Sequence, residues 1–160
     1  MIKFRSAIRQ SDVSLIRDIV ISTGFFSQEE VDIAIELLKE AIKKGCDSDY
    51  LFQFAEENGV TKGYVCYGPI AGSHYSFDIY WIAVHNEYQG QGIGRKLLSS
   101  VEKDIMKKGG KRIYIETSSR ELYKPTRSFY ESAKYKVAAM LDDFYDLDDD
   151  KVIFLKILKN

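Results

Sequence analysis

The spacing of apolar residues changes period several times along the chain, and each change predicts an element. Residues 2–5 alternate like a short strand. Between Asp12 and Ser22, Val13, Ile16 and Val20 recur at helical spacing, and Gly24 closes the segment. Ser27-Gln28-Glu29-Glu30 reads as a capping box, with Phe26 and Val31 at the two positions of a hydrophobic staple. A second helix follows and places Val31, Ala34, Ile35, Leu38, Ala41 and Ile42 on one face, ending at Gly45. Strands are predicted over 50–56, 60–67 and 77–84, the first two joined at Asn58-Gly59, a dipeptide suited to a two-residue hairpin turn. Ile93, Leu97, Leu98, Val101 and Ile105 define a third helix that stops at Gly109-Gly110. Arg112–Thr117 reads as a strand, and Pro125 fits the first turn of a fourth helix reaching Ala133. Strands near 136–142 and 151–158 flank a turn rich in aspartate.

The predicted order is β-α-α-β-β-β-α-β-α-β-β. Antiparallel pairings followed by one βαβ crossover give a mixed α/β (α+β) sheet with helices on both faces. One domain over residues 1–160 is expected, since no repeat, linker or low-complexity tract interrupts the pattern. The net charge of −1 gives no basic footprint for nucleic acid. No run of about 18 apolar residues is present, and the N-terminus lacks a signal-like apolar stretch, so no membrane partner is expected. Cys46 and Cys66 are far apart and outside any Cys-x-x-Cys motif, which suits reduced thiols in a cytoplasmic protein. His74 and His85 are too few and too isolated for a zinc site, so no metal is expected.

The densest chemistry lies where the 77–84 strand gives way to the third helix: Gln89-Gly90-Gln91-Gly92-Ile93-Gly94-Arg95. Alternate glycines let the backbone curl and keep side chains out of a ligand's way. A helix start offers unpaired N–H groups and the positive end of its dipole, a setting for pyrophosphate. Arg95 and Lys96 add positive charge there. The spacing fits neither the Walker A pattern nor the dinucleotide fingerprint, whose glycines run Gly-x-Gly-x-x-Gly. Gln/Arg-x-x-Gly-x-Gly, read here from Gln89 to Gly94, resembles the acetyl-CoA loop of the GNAT N-acetyltransferases, and the element order resembles theirs as well.

That resemblance implies a GNAT-like, mostly antiparallel sheet with a central parallel strand pair that splays apart to admit the pantetheine arm. It implies acetyl-CoA as co-substrate, held by Gln89, Gly90, Gln91, Gly92, Ile93, Gly94 and Arg95. Backbone groups of Ile82 and Val84 would meet the pantetheine amides, and an N–H of that stretch would steady the oxyanion. Thr126–Tyr135 is similar to the family's Ala-x-x-Phe-Tyr-x-x-x-Gly-Phe/Tyr segment, which makes Tyr130 the candidate acid for the departing thiolate. Thr126, Ala133 and Tyr123 depart from the family's usual Ala, Gly and Asn.

An alkyl ammonium with a pKa of about 10 is neutral only about one time in a thousand at pH 7, so acetylating an amine calls for a base. Asp78 falls where histone-modifying relatives carry a catalytic Glu. Glu116, Glu87 and a water chain are the alternatives. The expected activity is acetyl transfer to a primary amine, on a small molecule or a peptide, by direct attack in a ternary complex. A non-catalytic acyl-CoA-binding regulatory module and an unrelated nucleotide-binding α/β protein are the other readings. The aspartates of 142–150, with Phe144 and Tyr145 among them, suit either a solvated hairpin tip or the attraction of a cationic acceptor. A homodimer is compatible with the sequence.

Overall fold

A computed structural model describes residues 1–159. Its elements are β1 (Lys3–Arg5), α1 (Asp12–Ser22), α2 (Gln28–Lys44), β2 (Leu51–Glu57), β3 (Val60–Pro69), β4 (Ser76–Val84), α3 (Ile93–Lys107), β5 (Arg112–Ser118), α4 (Lys124–Ser132), β6 (Lys136–Asp146) and β7 (Asp149–Ile157). The order is the one the periodicity predicts. Seven strands form one mixed sheet, β1-β2-β3-β4-β5-β7-β6, with one parallel pair and the rest antiparallel. Contacts divide the chain into two compact units, Met1–Gly68 with Ile79–Asp104, and Pro69–Asp78 with the chain from Ile105 onward.

In the first unit, α2 begins as its sequence dictates. Ser27 Oγ accepts the Glu30 N–H at 3.2 Å while Glu30 Oε2 accepts the Ser27 N–H at 2.7 Å, closing the capping box. Val31, Ile35 and Leu38 then meet Ile16, Ile19 and Val20 of α1 and the Phe52, Phe54 and Tyr64 rings of β2 and β3. Burying each such aliphatic side chain stabilises the fold by about 1.5–3 kcal/mol before conformational entropy is counted. Asn58 and Gly59 both take positive φ, 53° and 78°, the backbone of a two-residue hairpin turn. Asp12, 1% exposed, accepts from the Arg5 guanidinium through both carboxylate oxygens at 2.8 and 2.9 Å. Arg5 Nε also donates to Glu56 at 2.6 Å, which fastens β1 and the start of α1 to β2.

In the second unit, β7 pairs antiparallel with both β5 and β6. Phe154 at its centre is fully buried against Tyr130 of α4, with ring centroids 5.6 Å apart. The final hairpin differs from expectation. The aspartate-rich stretch is mostly strand, and only Leu147 and Asp148 lie between β6 and β7. The register passes from Leu141↔Lys151 to Asp146↔Asp149, so residues 142–145 of β6 oppose Asp150 alone, a wide bulge. Backbone acceptors explain it. Asp150 Oδ1 accepts the Asp143 N–H at 3.0 Å, Asp143 Oδ1 accepts the Asp148 N–H at 2.8 Å, and both Asp143 and Asp148 take positive φ. Short polar side chains that accept from nearby backbone tolerate that conformation better than other residues do.

Candidate functional site

The glycine loop of the first unit is built as a helix entrance. Gly90 and Gly92 sit at φ of 75° and 74°, and a Cβ on either would meet no atom within 4 Å. Their lack of side chain therefore serves backbone conformation and open space. The first intrahelical bond of α3 runs from the Lys96 N–H to the Gly92 carbonyl at 3.1 Å. The backbone N–H groups of Ile93 and Gly94 precede that ladder and lie at the positive end of the dipole. The Ile93 side chain is buried, so this residue has only its backbone to offer a ligand. Arg95 and Lys96 are exposed beside it.

The two glutamines brace the loop. Gln89 Nε2 donates to the Val84 carbonyl at 3.1 Å, and Gln91 Nε2 donates to the Glu87 carbonyl at 3.4 Å. Gln89 thus ties the loop to the end of β4, the stretch whose backbone the resemblance assigns to the pantetheine arm. Ile82 and Val84 are half-buried there. The His85 N–H donates to Lys62 O at 2.9 Å, and the Asn86 N–H donates to Ser22 Oγ at 3.1 Å, so the turn leaving β4 is held from two sides. A pyrophosphate fits this arrangement: exposed donors, open space over two glycines, and two cationic side chains.

The second unit carries the titratable cluster. Asp78, near the start of β4, is half-buried, and its carboxyl is pushed up to about 6. Desolvation is the main cause; Glu116 on β5 adds to the rise and Lys151 on β7 opposes it. Lys151 Nζ lies 2.9 Å from Glu116 Oε2, and its side chain is only 13% exposed. The same ammonium sits 3.6 Å from the centroid of Phe144 and 5.8 Å from that of Tyr145. The wide bulge places Phe144 over Lys151. One face of Phe144 thus already holds a cation, the ammonium of Lys151.

Tyr130 is 5% exposed, ringed by Phe129, Tyr135 and Phe154 at 5.5, 6.2 and 5.6 Å. Burial pushes its phenol far above the ordinary tyrosine range, so Oη keeps its proton throughout the physiological range. That suits a donor and excludes a neutral-pH base. Lys156 Nζ donates to the Ala133 carbonyl at 3.0 Å and steadies the end of α4. Arg127 donates to the carbonyls of Ser118 and Arg120, each at 2.8 Å, tying α4 to the end of β5.

Sequence reasoning singled out Asp78 and Glu116 separately and gave Lys151 no role. A lysine in an aspartate-rich hairpin reads as surface charge. Its partner Glu116 lies 35 positions earlier, and only the β5–β7 register brings the two together. Cys66 is buried, and desolvation pushes its thiol up, as in a core residue rather than a nucleophile. Among the described residues, no group of three or more His, Cys, Asp or Glu is placed to hold a metal, and no helix is long and apolar enough to cross a membrane.

The family model described as "Acetyltransferase (GNAT) family" matches residues 16–135. A crystal structure of a GNAT-family protein from Desulfovibrio desulfuricans superposes with a TM-score of 0.96 at 41% identity, covering 98% of this chain and 99% of that one. An aminoglycoside 6'-N-acetyltransferase complexed with coenzyme A has a TM-score of 0.81 at 18% identity, covering 100% and 98%. The ribosomal-protein alanine N-acetyltransferase of Escherichia coli has a TM-score of 0.73 at 19% identity, covering 100% and 96%. No curated protein sequence matches the chain.

Proposed function

Because the chain belongs to the GNAT acetyltransferase family, we propose that it transfers an acetyl group from acetyl-CoA to a primary amine by direct attack. The observation that carries this reading is the entrance to α3, where two left-handed glycines present helix donors in open space. Gln89 and Gln91 hold the loop's shape. Ile93 and Gly94 offer backbone N–H groups to the pyrophosphate, and Arg95 and Lys96 supply charge. The co-substrate brings the activated acyl thioester, and the chain's own groups manage the protons.

Asp78 is the base in this reading. Its carboxyl, at about 6, is ionised at neutral pH and more basic than an ordinary carboxylate, so it can receive the proton that the amine sheds as it attacks, directly or through water. Glu116 is already paired with Lys151 and fits that role less well. Tyr130 holds a proton on Oη for the sulfur that leaves. We further propose a cytoplasmic location, from the two free cysteines, and one working domain spanning the chain.

For the acceptor, solved structures of the same fold include enzymes named for an aminoglycoside and for a protein alanine. Both are amines, so the class proposed here is a primary amine, cationic before it is deprotonated. The test is a library of small-molecule and peptide amines offered with acetyl-CoA, with release of free thiol followed and products weighed by mass spectrometry. An acetylated amine is the expected outcome. Tight acetyl-CoA binding with no thiol release across the library would favour the regulatory module instead.

A further inference from the structure

Three strands bring charged groups together in the second unit. Asp78 comes from β4, Glu116 from β5 and Lys151 from β7, three strands that neighbour one another in that order in the sheet, and both charged groups acting on Asp78 lie on strands other than its own. Lys151 is gripped from two sides: Glu116 Oε2 lies 2.9 Å from its ammonium, and the Phe144 ring sits over it at 3.6 Å. With 13% of its side chain exposed, it is far more confined than an ordinary surface lysine.

The hairpin that carries Lys151 is itself pinned. Ser118 Oγ donates to Asp149 Oδ1, Arg120 Nε lies 3.2 Å from Asp149 Oδ2, and the Asp150 N–H donates to Ser119 Oγ at 2.8 Å. These contacts hold the first two residues of β7 against the end of β5 and the residues just after it. The bulge that re-aims Phe144 is fastened in turn by Asp143 and Asp150. A solvated hairpin tip has no need of such a scaffold, whereas a lysine held at one point in space does.

We propose that Lys151 is a positioning residue for acetyl transfer. By clamping Glu116 and resting on Phe144, it fixes the balance of charge around Asp78 and so sets the pH at which Asp78 can accept the acceptor's proton. This rests on the reading of Asp78 as base. Lys151 neutralises one of two neighbouring carboxylates so that the other can cycle. Without it, Asp78 would face an uncompensated Glu116 and hold its proton to higher pH. Without Glu116, Asp78 would face Lys151 alone and release its proton earlier. The two substitutions therefore act with opposite signs, which a merely structural role would not produce.

The experiment is the pH profile of kcat/KM for wild type, Lys151→Met, Lys151→Arg, Glu116→Gln and Asp78→Asn, with carbon-detected NMR titration of the Asp78 carboxyl in the four proteins that keep it. The acidic limb is expected to move up by about 0.5–1 pH unit in Lys151→Met and down by a similar amount in Glu116→Gln. Lys151→Arg, which keeps the charge, should return it to near the wild-type position. The Asp78 resonance should titrate with the same signs, and this readout survives a loss of activity in any variant. If Asp78→Asn is inactive while the limb and the resonance stay put in Lys151→Met and Glu116→Gln, the role of Lys151 is overturned and the base stands. A fully active Asp78→Asn overturns the base, and the catalytic role of Lys151 falls with it.

Discussion

The glycine loop and the Asp78 cluster carry the two halves of the proposed chemistry by opposite means. At the loop, the working groups are backbone: left-handed Gly90 and Gly92, the open start of α3, and glutamines that hold carbonyls in place. Such a device needs consecutive residues, so it is compressed into one short stretch of chain. In the cluster, the working groups are side chains from three strands, and their distances depend on sheet register and on one wide bulge. A backbone site is set by local conformation, whereas a side-chain site is set by tertiary structure. The first should tolerate side-chain changes that do not alter φ or fill space, and the second should respond to the loss of a single charge.

The largest effect that would sharpen this contrast is expected from Asp78→Asn. Removing the base should lower kcat by about 100-fold to 1,000-fold and leave acetyl-CoA affinity within about twofold, read by steady-state kinetics and calorimetry on one preparation. A parallel loss of affinity would mean that the cluster and the loop are not separable. Tyr130→Phe keeps the buried ring and removes only Oη. A kcat loss of about tenfold or more is expected, with an altered alkaline limb and little change in cofactor binding. Unaltered turnover with chemistry rate-limiting would take Tyr130 out of the mechanism.

Smaller effects separate charge from scaffold in the last hairpin. Asp142→Asn should raise the KM of a cationic acceptor about two- to fivefold and weaken its salt dependence, since long-range attraction is screened by ions. Asp143→Ala should instead loosen the bulge, because it removes the oxygen that accepts the Asp148 N–H, and should act through Phe144 and Lys151. An acceptor KM indifferent to Asp142→Asn would leave the hairpin with its scaffolding role alone.

The smallest effect is on stability. Burial raises the Asp78 carboxyl from 3.8 to about 6, so the folded protein holds that proton where the unfolded chain has released it. The stability this gives is fully present below the unfolded value of 3.8 and is lost as pH rises through the folded value of about 6. Asp78→Asn should therefore melt a few degrees above wild type at about pH 7.5 and lose most of that advantage at about pH 4. An equal Tm difference at both pH values would contradict the desolvated carboxylate.

Much of the fold was legible because its determinants are local. Ser27 and Glu30 cap α2, Asn58-Gly59 turns β2 into β3, and both the third and the last helix begin where glycine and proline place them. The left-handed backbone of the glycine loop was legible for the same reason. The aspartate-rich hairpin was not: a run of Asp reads as a solvated turn, and its anchorage to β5 depends on Ser118 and Ser119, each 31 positions before its partner. Lys151 was hidden by a similar separation from its partner Glu116. Nothing in its immediate neighbours announces a partner on β5 or a ring brought over it by a bulge.

The division of labour between backbone and side chains is tested most directly by calorimetric titration of acetyl-CoA into Gly92→Asp beside wild type. Aspartate tolerates the left-handed conformation at modest cost, so the variant should fold, as circular dichroism can verify. It would place bulk and negative charge over the start of α3, where the space above Gly92 is open. Acetyl-CoA affinity is expected to fall by at least about 100-fold, reflecting lost space and repulsion at the helix N-terminus. A folded Gly92→Asp that binds acetyl-CoA as tightly as wild type would contradict the assignment of the loop, and with it the proposed function.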